Sequence, residues 1–450
     1  MTSTVVRGRI SESRPGTRSE MVAIVGGGAA GALATRAVLT NTTWRTALVA
    51  PDSRPGTGVA YGAAEPWHVL NSRAGAMSAD PADPLHLVRW LRERGEPAEP
   101  TDFLPRARFG DYLADQFAEV TKNAGDRFRH HFATATSVRR RDTGYLVTDD
   151  TGCQVHADHV ILAVGNPSAR RPAAVSDEAA RSVEYVADPW AFGALDAVPA
   201  DLPVLLVGTG LTAVDVALTL TANGRTTPVE AISRRGLLPR AHPELPPPAT
   251  DVDLPAGAGL RPLMRRVRQE IAAGADWVAV MDFVRTRADD LWLRLDHASQ
   301  ERFLRHCHRF WEVHRHRMAP PVAARIGDLL DLGTFRVRSG RLTAIVPHPD
   351  GGLTVSVEGS PDRRFGAVVN CTGPGSLPDT ASGLVADMLR DGLLRTGPHG
   401  LGVETDADGR AQPGLWVVGP LRKGGLWEAT AVPEIRGQVE RLTASLQQMR

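Results

Sequence analysis

Two glycine-rich turns and one arginine pair carry the most chemistry legible in this chain. Gly26-x-Gly28-x-x-Gly31 follows the apolar run Val22-Ala23-Ile24-Val25 and precedes Ala-rich sequence that reads as a helix to about Leu39. A strand–turn–helix of this kind holds a diphosphate at a helix N-terminus. The first glycine makes the tight turn, the second lets the backbone approach the phosphates, and the third lets helix and strand pack closely. Gly208-x-Gly210-x-x-Ala213 repeats the pattern after Val204-Leu205-Leu206-Val207, with alanine in the third place and Thr212 beside it. The fingerprint expects an acid about 20 residues on, to bond the ribose hydroxyls. In the first unit that position falls near Ala50, and Asp52 is the substitute two residues later. In the second unit Ser233-Arg234-Arg235 follows the strand instead. Arginines there pair with the 2′-phosphate of NADP, where a carboxylate would favour NAD. The alternative is an ordinary solvated basic turn.

Two dinucleotide units in one chain suggest electron flow from a nicotinamide to a second, bound dinucleotide, for which FAD is the obvious candidate. Three short segments support this. Ala163-Val164-Gly165 and Cys371-Thr372-Gly373 both close alternating, turn-punctuated stretches. Val417-Val418-Gly419, with a helix starting near Pro433, suits a segment passing the ribityl chain and pyrimidine edge of a flavin. A carboxylate is common after that last glycine in such proteins; here Pro420 stands in its place.

The elements that must position these residues follow from hydrophobic period and turn signals. Apolar runs at 22–25, 160–164, 204–207 and 415–419 read as strands, the first and last buried on both faces, and 46–50 and 229–233 read as further strands. Helices are expected over 84–94, 109–124, 212–223 and 431–448, and most of 260–318 reads as helical. Residues 132–164 and 336–371 read as antiparallel meanders returning to a parallel sheet. The expected fold is α/β: two Rossmann-like dinucleotide-binding domains, the NADPH domain inserted in the FAD domain, with antiparallel β-meanders and a helical insertion. Boundaries are expected at 1–20 for a disordered tail, 21–198 for the first part of the FAD-binding domain, 199–333 for the NADPH-binding domain with its helical insertion, and 334–450 for the second part of the FAD-binding domain.

Composition excludes several classes. Lys+Arg 52 against Asp+Glu 51 leaves a net charge of +1, which argues against nucleic-acid binding through overall basic charge. Cys153, Cys307 and Cys371 are far apart and form no CxxC, against a disulfide scaffold, a zinc ribbon or a dithiol reductase. No apolar h-region precedes residue 20, and Asp215 interrupts the longest apolar stretch, 204–222, so a cytoplasmic protein that neither crosses nor anchors in a membrane is expected. His306, His308, His314 and His316 have metal-ligand types, but i and i+2 on a helix point about 200° apart, so no metal is expected there. Trp277, Trp292 and Trp311 read as core or lid, with a substrate-facing wall as the alternative.

The chain resembles the FAD/NAD(P)-binding flavoprotein family related to the amine N-hydroxylases and other two-dinucleotide-domain flavin monooxygenases. The residues that carry the resemblance are Gly26 to Gly31, Gly58-Val59-Ala60-Tyr61-Gly62, His68 to Ala74, Leu104-Pro105-Arg106 with Phe109 to Leu113, Gly208 to Ala213 with Asp215, Ser233 to Gly236, Trp311 to Pro320, and Leu426 to Arg436. The resemblance implies an NADPH-dependent FAD monooxygenase acting through a flavin C4a-hydroperoxide on a small amine or amino acid. Molecular oxygen would be the second substrate, and homo-oligomer formation stays open. It also implies that the 58–74 stretch, with Asn71 and Arg73, approaches the flavin and that Arg106 orients the NADPH side. Asn71 and Arg106 are the candidates for catalysis, since the chemistry itself would be flavin-borne. A reductase or dehydrogenase passing electrons to a small acceptor or partner, and a non-catalytic nucleotide-binding module, are the alternatives.

Overall fold

The structure is a computed structural model; it describes residues 19–448 save 223, 256, 258 and 382, so most of the expected N-terminal tail lies outside the described residues. The chain opens with β1 (Met21–Val25), α1 (Ala29–Asn41) and β2 (Arg45–Val49). Then come α2 (His86–Arg92), α3 (Arg106–Ala124) and β3 (Phe128–His131). A hairpin-linked meander follows, β4 (Ala135–Arg140), β5 (Tyr145–Asp149) and β6 (Gln154–Ala157), and leads into β7 (His159–Leu162). Strands β1, β2, β3 and β7 join in parallel. The strands β16 (Arg410–Gln412) and β17 (Leu415–Val417), from the far end of the chain, complete a six-stranded sheet in the order β16-β17-β7-β1-β2-β3.

The all-apolar run of β1 behaves as a strand covered on both faces. Val22 and Ile24 pack with α1, α3 and the C-terminal helix, while Ala23 and Val25 pack with the meander and residues 377–394. Period-2 alternation divides one apolar segment between two cores.

The second sheet has the order β11-β10-β9-β15-β8, from β8 (Tyr185–Val186), β9 (Val204–Val207), β10 (Val229–Ser233), β11 (Phe335–Ser339) and β15 (Ala367–Asn370). Between β8 and its neighbours lie α4 (Asp177–Arg181), just before it, and α5 (Leu211–Ala222), after β9. The second meander, β12 (Leu342–Pro347), β13 (Leu353–Val357) and β14 (Arg363–Phe365), packs its apolar face on Leu205, Val207 and Val368 of this sheet. Strands on both sides of the 199–333 interval, β8 before it and β11 and β15 after it, belong to the second sheet. Phe335–Ser339 is likewise no meander strand; it pairs in parallel with β10. A parallel strand pairs with a partner far along the chain, so local alternation does not reveal which sheet it joins.

The helical region holds α6 (Leu260–Ala272), α7 (Trp277–Thr286), α8 (Ala288–Arg294), α9 (His297–His306) and α10 (His308–Arg315). Asp276 caps α7 by accepting the Val278 and Ala279 N–H groups, and Asp296 caps α9 through Ser299 N–H, so short polar residues divide one helical stretch into separate rods. Helicity runs beyond the expected end at Met318: α11 (Pro320–Asp331) starts on two prolines in its first turn, where a missing N–H costs nothing. After α12 (Leu377–Thr380), α13 (Gly383–Arg390) and strands β16 and β17, α14 (Val432–Gln448) closes the chain against α1.

Candidate functional site

The first glycine turn is built by sterics. Gly26 has φ +103°, and a Cβ on it would stand 2.5 Å from the Ala163 carbonyl oxygen. A Cβ on Gly31 would stand 1.9 Å from the Gly26 carbonyl oxygen, so strand and helix meet only because neither residue has a side chain. Gly28 is the N-cap of α1 and offers no side-chain cap, which leaves the positive helix end and its first-turn N–H groups for a ligand. Gly56 N–H donates to the Gly27 carbonyl at 2.7 Å, and Gly58 packs directly against Gly28, so the 56–62 loop walls one side of the turn. Asp52 places Oδ2 3.0 Å from where a Cβ on Gly27 would be, which brings a carboxylate to the turn from beyond β2. Ala163 N–H donates to the Val25 carbonyl at 2.8 Å, and Gly165, at φ +80°, has open space where a side chain would go. Gly419 lies over Ala30 of α1, and its N–H donates to the buried Gln438 Oε1 at 2.7 Å. That N–H is therefore satisfied within the protein, and Pro433 lies in the first turn of α14. This is a cradle that any Cβ would fill, with an acid beside it, and it fits a dinucleotide diphosphate and ribose.

The second turn repeats the construction. Gly208 has φ +123°, with a would-be Cβ 2.2 Å from the Cys371 carbonyl oxygen; Gly210 faces open space; Ala213 is fully buried. Thr212 is half-buried in the first turn of α5. Ser233 differs from expectation. Its hydroxyl lies 2.9 Å from Thr209 Oγ1 and accepts Gly236 N–H at 3.0 Å, so it holds the turn together. Arg234 is exposed and has no side-chain partner among the described residues, while the Arg235 guanidinium lies 5.0 Å from the Phe310 ring centre. Thr372 donates its hydroxyl to Asn370 Oδ1 at 2.8 Å, and Gly373, at φ +76°, faces open space.

Arg73 and Arg106 are placed otherwise than the resemblance implies. Arg106 reaches across to helix α5 and pairs with Asp215 at 2.7 Å, with side chains 16% and 5% exposed, so it joins the two sheets' domains through a buried ion pair. Burial holds the Asp215 carboxyl above its ordinary range even though Arg106 opposes the shift. His68 Nε2 lies 3.2 Å from the Asp215 carbonyl oxygen and 3.0 Å from Thr219 Oγ1, and Trp67 Nε1 donates to the same hydroxyl at 3.2 Å. Arg73 donates to the carbonyls of Thr101, Pro243 and Glu244 and stacks on Phe103, which leaves it as a clamp on the Pro-rich loop. The Asn71 carbonyl faces His242 Nε2 at 3.0 Å. Sequence reading named His68 and Asp215 but not the contact between them, nor the one between His242 and Asn71.

His242 is pushed down to about 3, by burial first and then by Arg317. Its neutral form is the one the fold accepts. A depressed histidine contributes stability that is complete above about pH 6.5 and is lost as pH falls toward 3. His242→Gln is therefore expected to give a shallower fall of melting temperature over that window, and equal slopes in both proteins would contradict the assignment.

The helices after α5 cover the C-terminal segment before α14. Arg315 pairs with Glu428 at 2.9 Å, both buried. Asp289 Oδ1 accepts the N–H groups of Trp427 at 2.7 Å and Glu428 at 2.8 Å. Trp292 donates to the Gly424 carbonyl at 2.8 Å and lies 4.7 Å from the Trp427 ring, and Phe303 completes the cluster. Trp292 is thus core. The helical-region histidines find local partners: His308 and His316 face Glu312, and His314 faces the Phe310 carbonyl.

Residues 23–167 match the family model described as FAD-NAD(P)-binding. The chain is 23% identical over 394 residues to proteins of Mycobacterium tuberculosis and Mycobacterium bovis described as uncharacterized, covering 76% of this chain and 73% of theirs. Among solved structures it is similar to the FAD-bound cadaverine monooxygenase of desferrioxamine biosynthesis from Erwinia amylovora, with TM-score 0.67, 14% identity and coverage of 96% and 95%. It is also similar to the ornithine hydroxylase of Pseudomonas aeruginosa, with TM-score 0.65, 13% identity and coverage of 96% and 99%. A third is the ornithine N-hydroxylase of Kutzneria sp. 744, with TM-score 0.64, 15% identity and coverage of 96% and 99%. The fold is that of the two-dinucleotide-domain flavoproteins, as the sequence leads one to expect. No helix among the described residues is long and apolar enough to cross a membrane.

Proposed function

Residues 23–167 being a FAD/NAD(P)-binding domain, we propose that the chain is an NADPH-dependent FAD monooxygenase that N-hydroxylates a small amine or amino acid. The observation that carries this reading is the pair of Cβ-excluding glycine turns, each at a helix start, fixed relative to one another by the buried Arg106–Asp215 pair. Solved proteins with this fold include hydroxylases of ornithine and a monooxygenase of cadaverine, which supports the amine preference.

In this reading Gly26, Gly28, Gly31, Asp52, Ala163, Gly165 and Gly419 hold the FAD, with Pro433 at the start of α14. Gly208, Gly210, Thr212, Arg234 and Arg235 hold NADPH, with Ser233 shaping the turn and Thr372 and Gly373 beside it. Bound flavin supplies hydride acceptance from the nicotinamide and activation of oxygen. The chain's own task is to bind, orient and keep water out. Asp52 would accept hydrogen bonds from ribose hydroxyls, the uncapped start of α1 would face the diphosphate, and the Trp292–Trp427–Phe303 cluster packs the helical region against the segment that leads into α14. Arg106 and Asp215 would set the distance between the two cofactor turns, and Asn71, whose carbonyl faces His242, stays the candidate for catalysis. No side-chain nucleophile is required.

The test is direct. Purified protein is mixed with NADPH, oxygen and ornithine, lysine or cadaverine, and the products are read by mass spectrometry. A hydroxylamine formed in step with NADPH consumption is expected; NADPH consumption that yields hydrogen peroxide alone with every amine would overturn the proposal.

Coenzyme choice has its own prediction. A charge-assisted hydrogen bond contributes about 1.5–3 kcal/mol, so Arg234→Ala is expected to raise KM for NADPH by roughly 10- to 100-fold and leave KM for NADH nearly unchanged. Equal changes for both coenzymes would remove Arg234 from the 2′-phosphate site.

A further inference from the structure

The corner where the first meander meets the edge of the six-stranded sheet carries donors that none of the chemistry above uses. His131 ends β3, Asp149 ends β5, and Cys153 precedes β6. One ligand atom from each residue, the imidazole nitrogen, the carboxylate oxygen and the thiol sulfur, lies within 4.8 Å of the other two. Cys153 Sγ faces His131 Nδ1 at 3.7 Å. Tetrahedral zinc, with bonds of about 2.3 Å to sulfur and 2.0–2.1 Å to nitrogen, sets those two atoms about 3.6 Å apart.

We propose that His131, Asp149 and Cys153 form a binding site for a zinc-class divalent ion that clips the β4–β6 meander to the edge strand β3. The three donors differ in how tightly they are held. Asp149 is 5% exposed, and its Oδ1 accepts Thr151 N–H at 3.0 Å, the Thr151 hydroxyl at 2.7 Å and Cys153 N–H at 2.9 Å. One oxygen of the same carboxylate lies within 4.8 Å of the other two ligand atoms. The same bonds hold the Cys153 backbone, while its exposed side chain can close the remaining distance. A thiol–imidazole hydrogen bond alone would join only Cys153 and His131; a metal engages all three groups. Thiolate plus imidazole selects zinc or cobalt over magnesium or calcium. On binding, the Cys153 thiol loses its proton to solvent, so thiolate and carboxylate together balance the dication and water fills the fourth position.

The location gives the site a consequence. The His131 carbonyl accepts Ala50 N–H at 3.1 Å, and His130 Nε2 lies 3.0 Å from the Ala50 carbonyl oxygen. Ala50 leads into Asp52, so the metal would stiffen the strand beside the proposed ribose carboxylate.

The experiment uses the full-length protein with whatever flavin it retains, dialysed against zinc and a weak competing chelator. Bound zinc is counted by elemental mass spectrometry, and its ligands are read by X-ray absorption. One zinc per chain is expected, with one sulfur at about 2.3 Å. Cys153→Ser, a surface change that leaves the fold intact, should lose it, and His131→Gln should weaken it at least tenfold, while Cys307→Ser leaves it unchanged. Absence of bound zinc, a shell of nitrogen and oxygen only, or equal zinc content in Cys153→Ser would each overturn the proposal. None of these readouts depends on the monooxygenase reading.

Discussion

Gly31→Ala is expected to yield a protein purified without flavin, its flavin-to-protein absorbance ratio reduced at least a hundredfold. The added methyl would stand 1.9 Å from the Gly26 carbonyl oxygen, and the obstacle is backbone, which has no rotamer to change. Helix α1 must slide away from β1, and the N–H groups of its first turn then miss the diphosphate. Overpacking of this kind costs about 1–3 kcal/mol in stability, so the fold is expected to survive while the cradle does not. Gly210→Ala provides the contrast. Its Cβ meets nothing within 4 Å, so neither fold nor flavin content should change. It would instead occupy the space through which the second dinucleotide approaches, and KM for NADPH should rise at least tenfold. Retention of flavin by Gly31→Ala would contradict the placement of FAD at the first turn. An unchanged KM in Gly210→Ala would contradict the placement of NADPH at the second.

Arg106→Met is expected to lower stability by about 3–5 kcal/mol, the usual cost of leaving one member of a buried pair alone. The loss should depend on pH with a definite sign. Asp215 already has its carboxyl raised by burial, with Arg106 as the main opposing influence, so removing Arg106 raises it further. The native state then holds a proton that the unfolded chain, with aspartate near 3.9, releases. Stability contributed this way is complete below about pH 3.9 and is lost as pH rises through the native value. The melting-temperature gap between the two proteins should therefore be small near pH 4 and widen toward pH 8. Adding Asp215→Asn to Arg106→Met removes the titrating group and should flatten that widening. A gap independent of pH would mean that the pair is not what joins the domains. Because the pair also sets the spacing of the two cofactor turns, flavin reduction by NADPH should slow in Arg106→Met even where the protein remains folded.

The two glycine turns were legible from sequence because the constraint is local. A residue that needs φ near +100°, or that has another backbone where its Cβ would be, must be glycine, and the pattern of such residues survives without knowledge of the rest of the fold. Asp52 was reachable by the same logic, as the first carboxylate past a strand whose expected acid is missing. The strands at 22–25 and 204–207 were equally plain, since burial on both faces demands an uninterrupted apolar run.

The contacts that Arg73, Arg106 and Ser233 make were not legible in sequence. A guanidinium or hydroxyl has several partners open to it, and which one it takes depends on what packing brings near. For Arg106 that partner, Asp215, is on a helix of the other domain; for Arg73 two of the three partners are loop carbonyls about 170 residues away. Sheet membership escaped for a related reason. Phe335–Ser339 and Ala367–Asn370 show the apolar pattern of strands, but parallel pairing joins distant segments, and nothing local distinguishes one sheet from the other. Sequence alone thus determined the two glycine turns and the class of fold, because steric exclusion acts within a few residues. Only the tertiary structure decided which charges pair and where one domain gives way to the other, because those depend on contacts between segments that the chain's order keeps apart.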